Sequence, residues 1–213
     1  MRVGIFGGSF DPPHVGHLLV AQDAREALAL DRLVVIPASQ QPLKGHHATP
    51  AEHRLAMVRA MFDGVPGMVV DPIEIDRGGL SFMVDTVESL QRRWPSAALH
   101  LLVGDDVVTT LSRWRDVDRL LTLVQLVVLQ RAFSEAPAFA ASLGLQDGTG
   151  LTTGHRLATR RVDVTSTEIR ARVQQGRSIK GFVPDSVAAY IASAGLYIEK
   201  TRAAVVVERS ARD

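Results

Sequence analysis

The sequence contains no cysteine among its 213 residues. Disulfide bonds and thiolate metal sites are therefore excluded, and the composition agrees with a reducing cytoplasm. No apolar run approaches the roughly 20 residues that a membrane span needs. Met1-Arg2 leads into a short apolar stretch broken by glycines, which is unlike the core of a signal peptide. We expect a cytoplasmic protein without a membrane partner.

Neither sign of charge dominates the sequence. Lys plus Arg total 24 against 23 for Asp plus Glu, so the net charge is +1. This balance lacks the broad basic surface that long nucleic acids attract, and we expect no nucleic-acid partner. Small anionic ligands stay open, as does a homo-oligomer. An apolar content of 46% is enough for the core of one domain of ordinary size.

Short apolar runs alternate with helical patterns along the chain. The runs are rich in Val, Ile and Leu and are bounded by turn formers, as buried parallel strands are. They cover 2–6, 32–37, 67–72, 98–104 and 123–130, with a weaker sixth candidate at 159–164. Helices are expected over 15–29, 50–62 and 81–93. This order predicts an α/β fold, a doubly wound (Rossmann-like) parallel sheet flanked by helices.

Turn and capping residues add detail to this plan. Before the second helix, Thr49 is suited to be the cap, Pro50 the first position and Glu52 the partner that completes a capping box. Residues 134–158 indicate a helix followed by an irregular loop. We expect one domain over 1–199 with a small helical C-terminal part at about 165–197. The tail, 200–213, is expected to be partly disordered.

The segment "GGSFDPPHVGH" (7–17) follows the first predicted strand. Ligands of doubly wound folds bind beyond the carboxyl ends of strands. Gly7 and Gly8 let a ligand approach the backbone closely and permit unusual dihedral angles. The helix that begins near Val15 directs its free amides and its positive dipole end toward the same space. His14 and His17 share a face of the first turn and can donate to phosphate oxygens, so the segment predicts an anion site.

Other interpretations of the two histidines are weaker. One histidine could cap the helix while the other packs. A transition-metal site lacks an obvious third ligand, since there is no His-Glu-x-x-His pattern. Neither a Walker loop nor a Gly-x-Gly-x-x-Gly fingerprint is present. Phosphate binding is favoured, and no metal ligands are predicted among the side chains.

A resemblance to a known family rests on two motifs. "GGSFDPPHVGH" resembles the Gly-x-Phe-Asp-Pro-x-His-x-Gly-His signature of the HxGH nucleotidyltransferases, which are related to class I aminoacyl-tRNA synthetases. "VTSTEIRARV" (164–173) is similar to the Ser-Ser/Thr-x-Ile-Arg motif near the carboxyl end of that family. The segments "PLK" (42–44), "SFMVDT" (81–86) and "GDDVVTTLSRW" (104–114) resemble the branch that acts on nicotinate mononucleotide. Phe82-Met83 and Arg113 depart from the usual Tyr-Thr and Thr.

The resemblance implies an activity and a set of site residues. The activity is adenylyl transfer from ATP, accompanied by Mg²⁺, to nicotinate mononucleotide in NAD biosynthesis, with in-line attack and no covalent intermediate. The implied catalytic residues are His14, His17 and Arg170. The implied ATP-binding residues are Gly7, Gly8, Ser9, Phe10, His14, His17, Gly104, Asp106, Thr165, Ser166, Thr167 and Arg170. The implied mononucleotide-binding residues are Ser9, Lys44, Met83, Thr86 and Trp114.

The residues of the second motif support a phosphate cradle on their own chemistry. Thr165 and Glu168 are spaced as a capping box, and Ser166 and Thr167 fall in the first turn. Hydroxyls, free amides and the Arg170 guanidinium would then meet at one helix start. A cap alone would explain Thr165 equally well, and a solvated charge is the plain alternative for Arg170.

The remaining candidates are single residues. Asp106, which the resemblance favours over Asp105, can accept from ribose hydroxyls, although either can cap the following helix. Trp114 lies in the polar turn "SRWRD", where its ring can stack on a pyridine, whereas Trp94 is interpreted as ordinary packing.

Substrate preference and catalysis itself are two further questions for the sequence. Donors from Thr86 and the main chain near Met83 and Trp114, with no Asp or Glu expected to face them, favour nicotinate over nicotinamide. Variants within the class would use phosphopantetheine or a cytidylyl substrate. A non-catalytic nucleotide-binding module is the alternative from another class, and intact His14, His17 and Arg170 argue against it.

Overall fold

A six-stranded parallel sheet forms the centre of the computed structural model, which describes residues 1–43, 45, 47–131 and 154–198. The strand order among these residues is β3-β2-β1-β4-β5-β6. The strands are β1 (Arg2–Gly8), β2 (Arg32–Pro37), β3 (Met68–Val70), β4 (Ala98–Gly104), β5 (Gln125–Arg131) and β6 (Gly154–Thr159). The chain winds outward from β1 to β3 and then returns to place β4 on the other side of β1, so the topological switch point lies between β1 and β4.

Helices connect the strands and cover both faces of the sheet. They are α1 (Val15–Ala27), α2 (Ala51–Phe62), α3 (Ile73–Arg77), α4 (Met83–Arg93), α5 (Asp105–Val108), α6 (Val117–Leu123), α7 (Ser166–Gln174) and α8 (Asp185–Ser193), with a 3₁₀ turn over Leu111–Arg113. The predicted doubly wound α/β fold is confirmed.

The core has two halves because side chains of a strand alternate between the faces of a sheet. Leu33 and Val35 of β2 join the half that packs against α1, α2, α7 and α8. Val34 and Ile36 join the half that packs against α4 and α6. Every one of these four side chains is fully buried, as the predicted near-continuous apolar runs require.

The C-terminal helices pack on the same core as the sheet. Ile169 of α7 and Val187 and Ile191 of α8 join the cluster that contains Met57 and Phe62 of α2. Ser186 Oγ donates to the carbonyl of Ala60 at 2.6 Å. Within the described residues, no helix has the length and apolar character needed to cross a membrane. The predicted tail over 200–213 lies outside the described residues.

Two details of the sequence-based plan are wrong, and a third is wrong only over its described residues, 154–158. Thr49 does not cap α2, which follows Pro50 without a side-chain cap; the Thr49 amide instead donates to Asp11 Oδ2 at 3.2 Å. The sixth strand covers 154–159 rather than 159–164, because the parallel register with β5 runs from Leu126↔Gly154 to Arg131↔Thr159. The helix and loop predicted for 134–158 fall outside the described residues up to 153, and the rest of that range belongs to β6.

Candidate active site

Two pockets open at the carboxyl ends of β1 and β4, on either side of the switch point. We call one the histidine pocket, a cavity of about 200 Å³ whose lining includes His14, His17, Phe10, Asp106 and Arg160. We call the other the tryptophan pocket, about 290 Å³, whose lining includes Trp114, Met83, Phe82, Ser81, Glu74 and Arg113. Phe6, Gly7, Gly8 and Gly104 border both. The two pockets therefore meet over a floor of glycine backbone.

Gly7 and Gly8 keep this floor open on both sides. A Cβ at Gly7 would lie 2.8 Å from Met83 Cε, in the tryptophan pocket. A Cβ at Gly8 would lie 2.9 Å from Phe10 Cζ, in the histidine pocket. Neither glycine adopts a positive φ, so the conformational freedom that they permit is not used here; the positive φ of this loop, 49°, belongs to Phe10. The glycines are required for space.

The two histidines stand at the start of α1 with their rings stacked. His14 is the N-cap residue and His17 occupies the third helical position. The ring centroids are 3.7 Å apart with planes inclined by 32°, and the Phe10 ring meets His17 edge-on at 5.0 Å. The His14 amide donates to His17 Nδ1 at 3.1 Å. His17 therefore makes the reciprocal bond of a capping box, which agrees only in part with the alternative that one histidine caps the helix, and both rings also line the pocket.

The cap bond assigns the tautomer of His17. A ring nitrogen that accepts an N–H bond carries no proton, so the proton of the neutral imidazole lies on Nε2. The helix start also brings positive dipole potential to the pocket. His17 thus carries its ring proton on Nε2, at a helix start whose dipole favours an anion.

The second motif holds the loop between β1 and α1. Thr165 caps α7, its Oγ1 accepting from the Glu168 amide at 3.1 Å. Ser166 Oγ donates to the Pro12 carbonyl at 2.7 Å. Arg170 donates from Nη1 to the Asp11 carbonyl at 2.7 Å and from Nη2 to Thr167 Oγ1 at 3.2 Å. None of Thr165, Ser166, Thr167 and Arg170 is among the residues that line the histidine pocket.

Asp106 lies at the histidine pocket, and Asp105 does not. A Cβ at Gly104 would lie 2.5 Å from Asp106 Oδ1, so Gly104 makes room for this carboxylate. Asp105 Oδ1 accepts from the Asp106 amide at 3.0 Å, a local bond at the start of α5. Asp106 is solvent-exposed and can reach a ligand.

The tryptophan pocket joins segments that are distant in the sequence. Trp114 is half-buried and packs against the α4 and α6 half of the core while one part of it lines the pocket. Opposite lie Phe82 and Met83 at the start of α4. The Arg115 guanidinium sits 4.5 Å from the centre of the Phe82 ring and reaches Asp85 at 3.3 Å. Trp94 packs at the core edge, as predicted. The predicted contact residue Lys44 lies outside the described residues.

Thr86 is placed differently from its predicted role. It is fully buried, and its Oγ1 donates to Glu74 Oε1 at 2.7 Å and accepts from Arg77 Nη2 at 3.1 Å. Thr86 is absent from the pocket lining, whereas Glu74 is present. The expectation that no Asp or Glu faces this pocket is therefore wrong. Glu74 was missed because it belongs to α3, a five-residue helix too short for a periodic signal.

Arg54 is a second residue that sequence reasoning missed. Its side chain is buried, with 1% exposed. It donates to four backbone carbonyls, those of Thr49 (3.1 Å), Ser9 (2.9 Å), Ala38 (2.6 Å) and Ser39 (2.8 Å). Ser9 contributes its carbonyl to this network and lines neither pocket. The signal was available, because Arg54 shares the helical phase of the core residues Met57 and Val58.

Fold and site together define a nucleotide-binding α/β domain with two adjoining ligand pockets. The cytidylyltransferase-like family model matches residues 5–172. A probable nicotinate-nucleotide adenylyltransferase of Gemmatimonas aurantiaca is 65% identical over the whole length of both chains. Another of the same name from a Roseiflexus species is 45% identical over 92% of this chain and 97% of its own. This chain belongs to the cytidylyltransferase-like family and, within it, to the nicotinate-nucleotide adenylyltransferases, which confirms the resemblance seen in the motifs.

Solved structures agree on the fold. Nicotinic acid mononucleotide adenylyltransferase of Plasmodium falciparum, complexed with APC, matches with a TM-score of 0.74 at 15% identity, over 92% of this chain and 96% of that one. The same protein complexed with NaAD matches with a TM-score of 0.74 at 16% identity, over 92% and 97%. At these identities the likeness concerns the architecture.

Proposed function

We propose that the protein transfers the adenylyl group of ATP to nicotinate mononucleotide, forming nicotinate adenine dinucleotide and pyrophosphate in NAD biosynthesis. The observation that carries the proposal is the meeting of two pockets over Gly7 and Gly8, one beside the paired histidines and one beside Trp114. ATP would occupy the histidine pocket and the mononucleotide the tryptophan pocket. The names of the relatives, at up to 65% identity here, support the same reaction.

The reaction is a direct displacement at phosphorus. A phosphate oxygen of the mononucleotide attacks the α-phosphorus of ATP while the bond to the pyrophosphate oxygen breaks, so no side chain becomes a nucleophile. The protein contributes positioning and stabilisation of charge. His17, through its Nε2 proton, and His14 would donate to the α-phosphate and to the bridging oxygen as negative charge builds there. Phe10 and Gly8 would border the nucleotide, with Asp106 reaching a ribose hydroxyl.

The second motif supports this site in two ways. Arg170 and Ser166 hold the carbonyls of Asp11 and Pro12, which fixes the loop that presents the histidines. We also propose that Arg170, with the hydroxyls of Thr165, Ser166 and Thr167, receives the β- and γ-phosphates of ATP. The start of α7 supplies amides suited to that role.

Mg²⁺ would accompany ATP as part of the substrate. This ion keeps several waters and is bound through one or two carboxylates together with substrate phosphates. Here the phosphates of ATP and the waters of the ion would hold it, so that Asp106 remains for the ribose hydroxyl. The ion would neutralise charge on the triphosphate. We further propose a cytoplasmic location with no nucleic-acid partner; a homo-oligomer stays open.

The tryptophan pocket favours an acidic ring. Its wall includes the first turn of α4, where the N-cap residue Phe82 makes no side-chain cap bond. Amides near Met83 would donate to the nicotinate carboxylate while Trp114 stacks on the ring. We propose that the specificity constant for nicotinate mononucleotide exceeds that for the nicotinamide form by tenfold or more, about 1.4 kcal/mol.

One assay tests these proposals. The purified protein is incubated with ATP, Mg²⁺ and either mononucleotide, and pyrophosphate release is followed; phosphopantetheine, and CTP in place of ATP, are run in parallel. We expect rapid release with nicotinate mononucleotide and ATP. ATP binding without pyrophosphate release in any arm would establish a non-catalytic module instead. A ratio near one between the two mononucleotides would refute the preference alone.

A further inference from the structure

A carboxyl group stands in the wall of the tryptophan pocket although only 2% of Glu74 is exposed. Glu74 Oε1 accepts from Thr86 Oγ1 at 2.7 Å. Thr86 lies in the first turns of α4, three residues after Met83, which lines the pocket together with Phe82. The carboxyl thus holds the start of α4 from its buried side.

Further hydrogen bonds join the start of α4 to α3 and to the loop after β2. Arg77, one turn further along α3, donates from Nη2 to Thr86 Oγ1 at 3.1 Å, so the Thr86 hydroxyl lies between a carboxylate and a guanidinium. Ser81 Oγ accepts from the Ser39 amide at 2.9 Å, and the Ser81 amide donates to the Gln40 carbonyl at 2.8 Å. The network therefore joins α3, the start of α4 and the loop after β2.

This arrangement is not what stability alone would select. Burial raises the pKa of Glu74, the hydroxyls of Thr86 and Ser81 and the charge of Arg77 opposing the shift. Removing a carboxylate from water is unfavourable, and a neutral group of the same shape would avoid that loss. A buried carboxyl that carries such a cost at a pocket wall indicates a local role.

We propose that Glu74 is a positioning residue that determines how the tryptophan pocket recognises an acidic ring. By accepting the hydrogen bond of the Thr86 hydroxyl, its carboxyl fixes the first turn of α4 so that the amides near Met83 point at the ring carboxylate. Oε1 is occupied by that hydroxyl, and only 2% of Glu74 is exposed, which limits its contact with the anionic substrate. The inference rests on the proposed function, since it concerns the same pocket.

The test compares Glu74→Gln with the parent protein. The glutamine keeps the shape but loses the charge and one acceptor. We expect the KM for nicotinate mononucleotide to rise about tenfold, the scale of losing a preorganised contact, while kcat and the KM for ATP stay within about twofold. The unfolding midpoint should not fall, which separates this role from a merely structural one. Glu88→Gln is the matched control: Glu88 is half-buried on the same α4, pairs with Arg119 at 3.5 Å and lines neither pocket, so both KM values should be unchanged.

A second pair of variants checks the link through Thr86. Thr86→Ser keeps the hydroxyl and should behave almost as the parent protein, whereas Thr86→Val should reproduce the rise in the mononucleotide KM. An unchanged or lowered KM in Glu74→Gln, or an equal loss in kcat and in the KM for ATP, would overturn the inference. Thr86→Val behaving as the parent protein would overturn it as well. If the parent protein releases no pyrophosphate, the proposed function itself fails, and this is known before any variant is measured.

Discussion

The histidine pocket and the tryptophan pocket share a glycine floor but are built in opposite ways. The histidine pocket takes more than half of its lining from one continuous segment, 6–20, and the rest from the ends of β4, β5 and β6 and the residues that follow them. The tryptophan pocket draws on the loop after β2, on α3, on the start of α4 and on the turn that carries Trp114. Chemistry concentrated in one segment can be recognised in a sequence, whereas chemistry assembled from four segments depends on tertiary structure.

The pockets also differ in how charge is arranged. In the histidine pocket, Arg160 is paired with Asp23 at 2.9 Å, and two imidazole rings stand at the start of α1. In the tryptophan pocket, Arg115 is engaged by Phe82 and Asp85, and the carboxyl of Glu74 is buried in the wall. Under the proposed function, the first pocket would meet charge that develops during the reaction, and the second would recognise a ring whose charge is fixed.

The largest effect should come from the histidine pocket alone. Glutamine is a regular partner at the third position of a capping box, so His17→Gln can keep the bond to the His14 amide while removing the imidazole. We expect kcat to fall roughly 10²-fold or more, the scale of losing one transition-state donor. Steady-state kinetics and circular dichroism measure this, with His53→Gln, a histidine of α2 outside both pockets, as the control. Activity equal to that of the parent protein would remove His17 from the mechanism.

Substitution of Arg54 should affect both pockets, because its side chain holds carbonyls from the loops after β1 and β2. Lysine cannot reach four carbonyls, and each buried acceptor left without a partner costs about 1–3 kcal/mol. Arg54→Lys should lower the unfolding midpoint and raise the KM values for ATP and the mononucleotide together. Calorimetry and kinetics would show this, with the exposed Arg59→Lys on the same helix as control. A change in one KM only would mean that the loops are held independently.

Substitution of Trp114, in contrast, should affect the tryptophan pocket alone. Stacking contributes about 0.5 to 1.5 kcal/mol beyond area burial, so Trp114→Ala should weaken mononucleotide binding several-fold to tenfold. ATP affinity should be nearly unchanged, and Trp114→Phe should recover part of the loss. Titration calorimetry with each ligand decides the matter. Equal weakening of both ligands would identify Trp114 as structural.

The smallest effect concerns stability and pH. Burial raises the pKa of Glu74 in the folded protein, so the folded state binds this proton more tightly than the unfolded state. Stability from this group is present at low pH and is lost as the pH rises above the ordinary value of 4.5 through the raised pKa. As the pH rises above 4.5, the unfolding midpoint of Glu74→Gln should therefore rise relative to the unfolding midpoint of the parent protein. Thermal unfolding across this range checks the trend, and parallel curves would contradict it.

Much of the fold could be predicted because its strands are buried on both faces and are therefore nearly uninterrupted apolar runs. Strands β2 and β4 match their predicted bounds. The predicted bounds of the sixth strand were wrong because this strand lies at the sheet edge, where apolar periodicity is weak. Thr49 was predicted to cap α2, but its amide donates to the buried Asp11 carboxylate. Short helices such as α3 are stabilised by their neighbours and leave no periodic signal.

The residues of the candidate site also divide into those that local sequence could place and those that depend on tertiary contacts. His14, His17, Phe10 and Asp106 could be placed because a strand end and a helix start fix their positions locally. Thr86 was predicted to contact the mononucleotide, but in the structure its hydroxyl bonds to Glu74. Glu74 lies on a helix that the sequence does not indicate. Arg54 could have been found, because an arginine in the core phase of an amphipathic helix must have buried acceptors.

The loop that carries the histidines has a consequence for the newborn chain. Its carbonyls at Asp11 and Pro12 are held by Arg170 and Ser166, and the Asp11 carboxylate accepts from the Tyr197 hydroxyl at 2.8 Å. Ser166 follows Pro12 by 154 residues. A ribosome adding about 5–20 residues per second needs roughly 8 to 31 s to cover that distance. The histidine motif is thus translated many seconds before Ser166 and Arg170, and a chain broken off before α7 would keep the motif but lack the two side chains that hold the carbonyls of Asp11 and Pro12.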